Sequence, residues 1–158
     1  MGQVLTLDDA VRRREALRAE GRQVVFTNGH FDLLHVGHLD YLEKARALGD
    51  ALFVGINGDA STARLKGPGR PLVPAAERAR LLAALKPVTA SLIFEEDTAD
   101  AVLRALQPDI YVKGGDYHTT PLPERSTVEA YGGKVVLIDY LPDHSTTALI
   151  RKIKALPE

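Results

Sequence analysis

Three of the chain's five histidines, His30, His35 and His38, fall within nine residues of one another. They sit in the stretch TNGHFDLLHVGHLDYL, which runs from Thr27 to Leu42. Imidazoles at this density can ligate a metal, act as a catalytic pair, or donate to phosphate oxygens. Zinc fits worst. A zincin-like pair stands four apart with a glutamate between, and a structural site needs four ligands. Here the spacing of His35 and His38 is three, no glutamate intervenes, and the chain has no cysteine to complete a set. No metal held by the protein alone is expected. His35 and His38 instead bracket Gly37 at the expected mouth of a helix. Residues three apart share a helical face, and free N–H groups with the positive end of the helix dipole favour an anion there. A glycine admits a phosphate close to the backbone. A phosphate cradle uses all of these features. His30 alone reads as a surface or hydrogen-bonded structural residue, and its role stays open.

A cradle needs a frame to hold it. The apolar runs QVVFT (23–27), ALFVGI (51–56), VTASLIF (88–94), DIYV (109–112) and KVVLIDY (134–140) are short and rich in β-branched or aromatic residues. They read as buried strands. Helical patterns lie between them, at Asp9–Ala19, Val36–Leu48, Pro74–Leu85, Ala99–Leu106 and Pro123–Tyr131, with a last one at Thr146–Ala155. Thr98, Pro74 and Gly49 stand where an N-cap, a first helical residue and a helix stop are expected. Strand alternating with helix predicts an α/β fold: a doubly wound parallel five-stranded sheet with helices on both faces. One domain is expected over residues 1–158, with 1–22 as a helical lead-in. Segments 58–73 and 114–122 read as irregular. Each follows a strand, as the histidine stretch does, and ligands of open α/β sheets sit at the carboxyl ends of the strands.

Composition narrows the possibilities. A net charge of −1 advertises neither nucleic acid nor an anionic membrane as partner. The absence of cysteine removes disulfides and thiol nucleophiles and suits a reducing compartment. No apolar run reaches the length of a membrane span, and MGQVLTLDDAVRRR has no signal-peptide core. A cytoplasmic location is expected.

Four further segments carry chemistry-bearing residues. Lys44 and Arg46 in LEKARALGD suit either a solvated helix face or a phosphate contact. The Gly/Pro-rich segment holding Lys66 and Arg70 suits either a mobile loop or one that closes over phosphates. YVKGGDYH (111–118) is either a turn with an ion pair or a close backbone approach flanked by Lys113 and Asp116. Ser145, Thr146 and Thr147 in DHSTTALIRKI open a helix, where hydroxyls are commonly caps.

GHFDLLHVGHLDYL resembles the HxGH signature of the nucleotidyltransferase superfamily, in its cytidylyltransferase-like branch. The resemblance spans about Val24 to Lys154 and implies a Rossmann-like fold. It gives His35 and His38, with Lys44, the catalytic roles around the α-phosphate. Thr27, Asn28, Gly29, Phe31, Asp32 and Gly37 match the stretch lining the nucleotide and the acceptor. Arg46, Lys113, Gly114, Asp116, Ser145, Thr146 and Thr147 match further nucleotide and phosphate contacts. Asn57, Asp59, Lys66 and Arg78 match the acceptor side, with Arg70 a weaker candidate there. His144 has no assigned part.

KGGDY, NGDASTARLKGPGRP and FEEDT resemble the D-glycero-β-D-manno-heptose 1-phosphate adenylyltransferase domain of two-domain heptose enzymes. Glycerol-phosphate cytidylyltransferases usually show a GDDW-like sequence instead. The resemblance implies transfer of AMP from ATP to the sugar 1-phosphate, giving ADP-heptose for lipopolysaccharide precursors and pyrophosphate. It further implies Mg²⁺ bound with ATP, a separate heptose 7-phosphate kinase upstream, and a homodimer. A CTP-dependent transferase for glycerol 3-phosphate and a catalytically silent nucleotide sensor are the rival readings.

Overall fold

The computed structural model describes residues 2–118 and 120–158, without the side chains of Asp116 and His118. The expectation for Asp116 therefore rests on a side chain outside the described residues. Among the described residues, six strands and seven helices follow one another: β1 (Gln3–Val4), α1 (Leu7–Ala19), β2 (Val24–Gly29), α2 (Val36–Arg46), β3 (Ala51–Asn57), α3 (Asp59–Lys66), α4 (Ala75–Ala83), β4 (Ala90–Phe94), α5 (Asp100–Leu106), β5 (Ile110–Gly114), α6 (Arg125–Ala130), β6 (Lys134–Ile138) and α7 (Thr146–Lys154). A 3₁₀ turn over Gly115–His118 follows β5. The strands form one sheet in the order β1-β4-β3-β2-β5-β6, and every pairing is parallel.

Period-two alternation sorts the strand residues between two cores. Val24, Phe26, Ala51 and Phe53 face α1, α5 and α6, where they pack with Leu103, Leu106 and Val128. Val25, Leu52, Val54 and Ile56 face α2 and α4, with Leu42, Ala45, Ala79 and Leu82. Burial on both sides is why β3 reads as an unbroken apolar run and not as an alternation. The strand order reverses about β2, which lies between β3 and β5. A crevice opens there at the carboxyl ends, as in other doubly wound sheets. None of the helices among the described residues is long and apolar enough to cross a membrane.

Two expectations change. The sheet has six strands and not five, because Gln3–Val4 pairs with β4 at the sheet edge. Two exposed residues are too few to display a period. The segment 58–73 is also not irregular throughout, since Asp59–Lys66 is helical. Its inward residues are Ser61 and Thr62, so its buried face is polar and no apolar stripe marks it. Smaller shifts occur at helix ends. Pro74 is the cap residue of α4, and Ala99, not Thr98, caps α5. Gly49 serves close packing as well as helix termination: a Cβ there would press on Val25 of β2.

Candidate active site

A cavity of about 890 Å³ lies over the carboxyl ends of the central strands. That is toward the upper end of the roughly 300–1,000 Å³ typical of small-molecule sites. Its floor is Asn28, Gly29 and His30 from the end of β2, and Asn57 from the end of β3. Four of the chain's histidines line it: His30, His35, His38 and His144.

The helix mouth orients two of those rings. His35 is the extended N-cap of α2, and its Nδ1 accepts from the N–H of Gly37 at 3.1 Å. His38 reaches back so that its Nδ1 accepts from the N–H of His35 at 3.2 Å. A neutral imidazole carries one proton, so occupied Nδ1 acceptors place N–H on Nε2 of both rings. The ring centroids are 4.0 Å apart. Burial, and then the neighbouring His35, pushes the pKa of His38 down to about 4. Burial, followed by His144, also lowers that of His35. Both are therefore neutral Nε2–H donors near pH 7. Phe31 (φ 49°) packs its ring 5.4 Å from that of His38. Gly37 is obligatory, because a Cβ would stand 2.9 Å from His35 and from His144.

The start of α7 faces this mouth. Ser145 caps it by accepting from the N–H of Ala148 at 3.0 Å, and Thr146 Oγ1 donates to the carbonyl of Leu33 at 3.3 Å. Ser145, Thr146 and Thr147 all line the cavity. Lys66, at the end of α3, and Lys113, on β5, add positive charge to the wall. Lys113 Nζ donates to the carbonyl of Asn28 at 3.1 Å and lies 5.9 Å from the Tyr117 ring centroid. Its burial lowers its pKa. Gly114 lies against the Tyr140 ring, with no room for a side chain.

Other expected site residues hold structure. Thr27 is fully buried, donating to the carbonyl of Val112 at 2.8 Å and touching Tyr41 Oη at 2.7 Å, so it ties β2 to β5 beneath the floor. Asp32 lines the cavity, but its carboxylate accepts from Arg70 Nε at 2.6 Å and from the N–H groups of Leu72 and Val73. Burial alone would raise its pKa; the Leu72 and Val73 N–H groups and the Arg70 guanidinium outweigh it, and the net shift is downward. Arg70 thus approaches the cavity as half of a clasp. Arg78 does not reach the cavity. Its fully buried guanidinium donates to the carbonyls of Val73, His30 and Asn57 and to Asp59 Oδ1, at 2.7–2.9 Å. Asp59 also accepts from the N–H of Ala75 at 2.8 Å. Lys44 pairs with Asp40 at 2.8 Å, and Arg46 donates to the carbonyl of Gly49 at 2.6 Å. Neither is among the cavity-lining residues, since the inward positions of α2 go to Gly37, Tyr41, Leu42 and Ala45.

The lining also includes residues that the sequence did not mark as site residues, among them His144 and Glu124. His144 stands 6.4 Å from the His35 ring, and Glu124 is a 6% exposed carboxylate. Within LPER a glutamate reads as an ordinary charge at a helix start, so only the folded chain reveals its burial. No group of three or more His, Cys, Asp or Glu among the described residues could hold a metal ion.

The cytidylyltransferase-like family model matches residues 26–152. This chain belongs to the cytidylyltransferase-like family. It is 51% identical to the bifunctional protein HldE of Syntrophotalea carbinolica over 156 residues, covering 94% of this chain and 32% of that protein. The HldE of Trichlorobacter lovleyi is 50% identical, over 92% of this chain and 31% of that protein. The chain thus spans about a third of the length of these relatives. Among solved structures it is similar to a lipopolysaccharide core biosynthesis protein from Thermoplasma volcanium (29% identity, TM-score 0.62, 77% of this chain and 98% of that one). The fold is also that of a pantoate-beta-alanine ligase from Francisella tularensis (14% identity, TM-score 0.62, 98% of this chain and 77% of that one). The family match begins on β2 and ends in α7, so it takes in every segment that lines the cavity.

Proposed function

We propose that the chain transfers AMP from ATP to the phosphate of D-glycero-β-D-manno-heptose 1-phosphate, releasing pyrophosphate and ADP-heptose. The pair of neutral Nε2–H imidazoles at the N-terminus of α2 carries the reading, because it suits an α-phosphate gaining negative charge. A sugar phosphate oxygen attacks the α-phosphorus and the bond to the β-phosphate oxygen breaks. The attacking oxygen is already anionic, so no general base is required. Catalysis is then positioning and charge stabilisation. His35 and His38 donate to the α-phosphate, with the start of α7 on the opposite wall. Asn57, Lys66 and Lys113 flank the acceptor and the departing pyrophosphate.

Mg²⁺ would shield the triphosphate oxygens while keeping most of its water. That fits a site where the carboxylate of Asp32 is already engaged. The heptose assignment is supported by KGGDY and by relatives that are bifunctional in name and matched over about a third of their length. The phosphate on C1 of the sugar then comes from a heptose 7-phosphate kinase upstream, with the C7 phosphate hydrolysed off before adenylyl transfer. Work in the cytoplasm as a homodimer belongs to the same proposal and rests on the family resemblance.

Pyrophosphate release across ATP and CTP, each with heptose 1-phosphate and glycerol 3-phosphate, tests the reading. Turnover is expected with ATP and heptose 1-phosphate. His35→Ala and His38→Ala are each expected to lose about 10²–10³-fold, as when a donor to a developing oxyanion is removed, with circular dichroism unchanged. Efficient CTP use with glycerol 3-phosphate, or near-normal rates in both variants, would overturn it.

A further inference from the structure

The phosphate cradle leaves His30 unused, although His30 lines the same cavity. Its Nδ1 lies 2.9 Å from Thr62 Oγ1, and that hydroxyl donates to the carbonyl of Asn57 at 3.3 Å. A hydroxyl has a single proton to give. Thr62 therefore accepts from His30, the ring proton sits on Nδ1, and Nε2 is a lone-pair acceptor. This is the opposite tautomer from His35 and His38. Burial, then the charges of Lys66, Arg78, Lys113 and Arg70, lowers the pKa of His30 to about 4, which keeps it neutral.

Glu124 supplies a second acceptor on the same cavity. It is 6% exposed, and its Oε2 has no hydrogen-bond partner among the described residues. A buried carboxylate oxygen without a donor is costly, and a ligand that donates to it removes that cost. Lys113 lies between the two in electrostatic terms, since its charge acts on His30 and that of Glu124 acts on Lys113. Lys66 also bears on both His30 and Lys113. Two acceptors beside two ammonium groups complement a phosphate ester rich in hydroxyls.

We propose that His30 Nε2 and Glu124 Oε2 accept hydrogen bonds from hydroxyls of the acceptor, forming a polyol subsite that selects polyhydroxylated phosphate esters. This rests on the adenylyl-transfer reading and names the atoms that read its acceptor. Steady-state kinetics of His30→Asn and Glu124→Gln test it. Asparagine keeps a donor to Thr62 but lacks an atom at Nε2, and glutamine keeps the shape of Glu124. The KM for heptose 1-phosphate should rise about tenfold in each, the loss of roughly one hydrogen bond, with the KM for ATP and the circular dichroism spectrum unchanged. His30→Gln, which can place an amide oxygen near the Nε2 position, should recover most of the loss.

A rise in the ATP KM instead would assign these acceptors to the nucleotide and overturn the subsite, as would two unchanged KM values. A protonated Nε2 on His30 in ¹⁵N NMR of the unliganded protein would also overturn its part, independently of turnover. Wild-type protein inactive with every sugar phosphate would remove the adenylyl-transfer reading itself, a different outcome from active wild type with indifferent variants.

Discussion

Backbone N–H groups decide what the paired histidines can do. Because Gly37 and His35 donate to the Nδ1 atoms of His35 and His38, protonating either ring at Nδ1 would break a helix-mouth hydrogen bond. The usual picture of a positively charged histidine gripping phosphate does not suit the unliganded site. NMR titration of the imidazole resonances should show His38 changing charge with a midpoint near 4, well below the ordinary 6.5. A midpoint at or above 6.5 would mean that the ring is free of this geometry. The pairing around Gly37 was legible in the sequence because spacing alone places it at a helix start. The tautomers were not, since they depend on which atoms the folded backbone aims at each ring.

Among the elements, one side chain ties α3 and α4 together at the carboxyl ends of β2 and β3, beside the apolar packing of α4 on the sheet. Arg78 draws together the end of β2, the end of β3, the start of α3 and the chain before α4. Replacing it with Met would leave the carbonyls of Val73, His30 and Asn57, the last of them buried, without this donor. We expect Arg78→Met to cost about 1–3 kcal/mol, the usual penalty for a buried polar group left without its donor, read as a lower urea midpoint. A change below about 1 kcal/mol would show that these carbonyls find water or other donors.

The same residue shows where sequence reading stops. Arg78 and Asp32 stand in motif positions and resemble ligand contacts, yet Arg78 reaches a carbonyl 48 residues away along the chain and Asp32 an N–H 40 residues away. A charged side chain looks the same in sequence whether it meets a phosphate or a carbonyl. The sheet was legible for the opposite reason, because apolar period and length are local properties. β1 and α3 escaped, the first by being two residues long and the second by burying a polar face.

At the scale of the whole molecule, the cavity makes stability depend on pH. His30 and His38 have pKa values near 4 when folded against 6.5 when unfolded. Above 6.5 both states are neutral and the difference costs nothing. As pH falls from 6.5 toward 4 the unfolded chain takes up protons that the folded one refuses, so stability declines through that window. Asp32 adds a further loss at still lower pH, because its folded pKa lies below 3.8. Urea melts between pH 7.5 and 4 should show a falling midpoint, and His30→Asn with His38→Asn should flatten it. An unchanged slope in the double variant would place the dependence elsewhere.

The contact between Thr146 and Leu33 spans 113 residues of chain, and Gly37 is bare where His144 abuts it. The β2–α2 connection and the start of α7 therefore meet at the cavity, although α7 has no buried residue of its own. During synthesis the cradle at His35 and His38 is translated well before the start of α7 that faces it. A nucleotide touching both would act as a fastener between two segments far apart along the chain, and α7 has the most to gain from it.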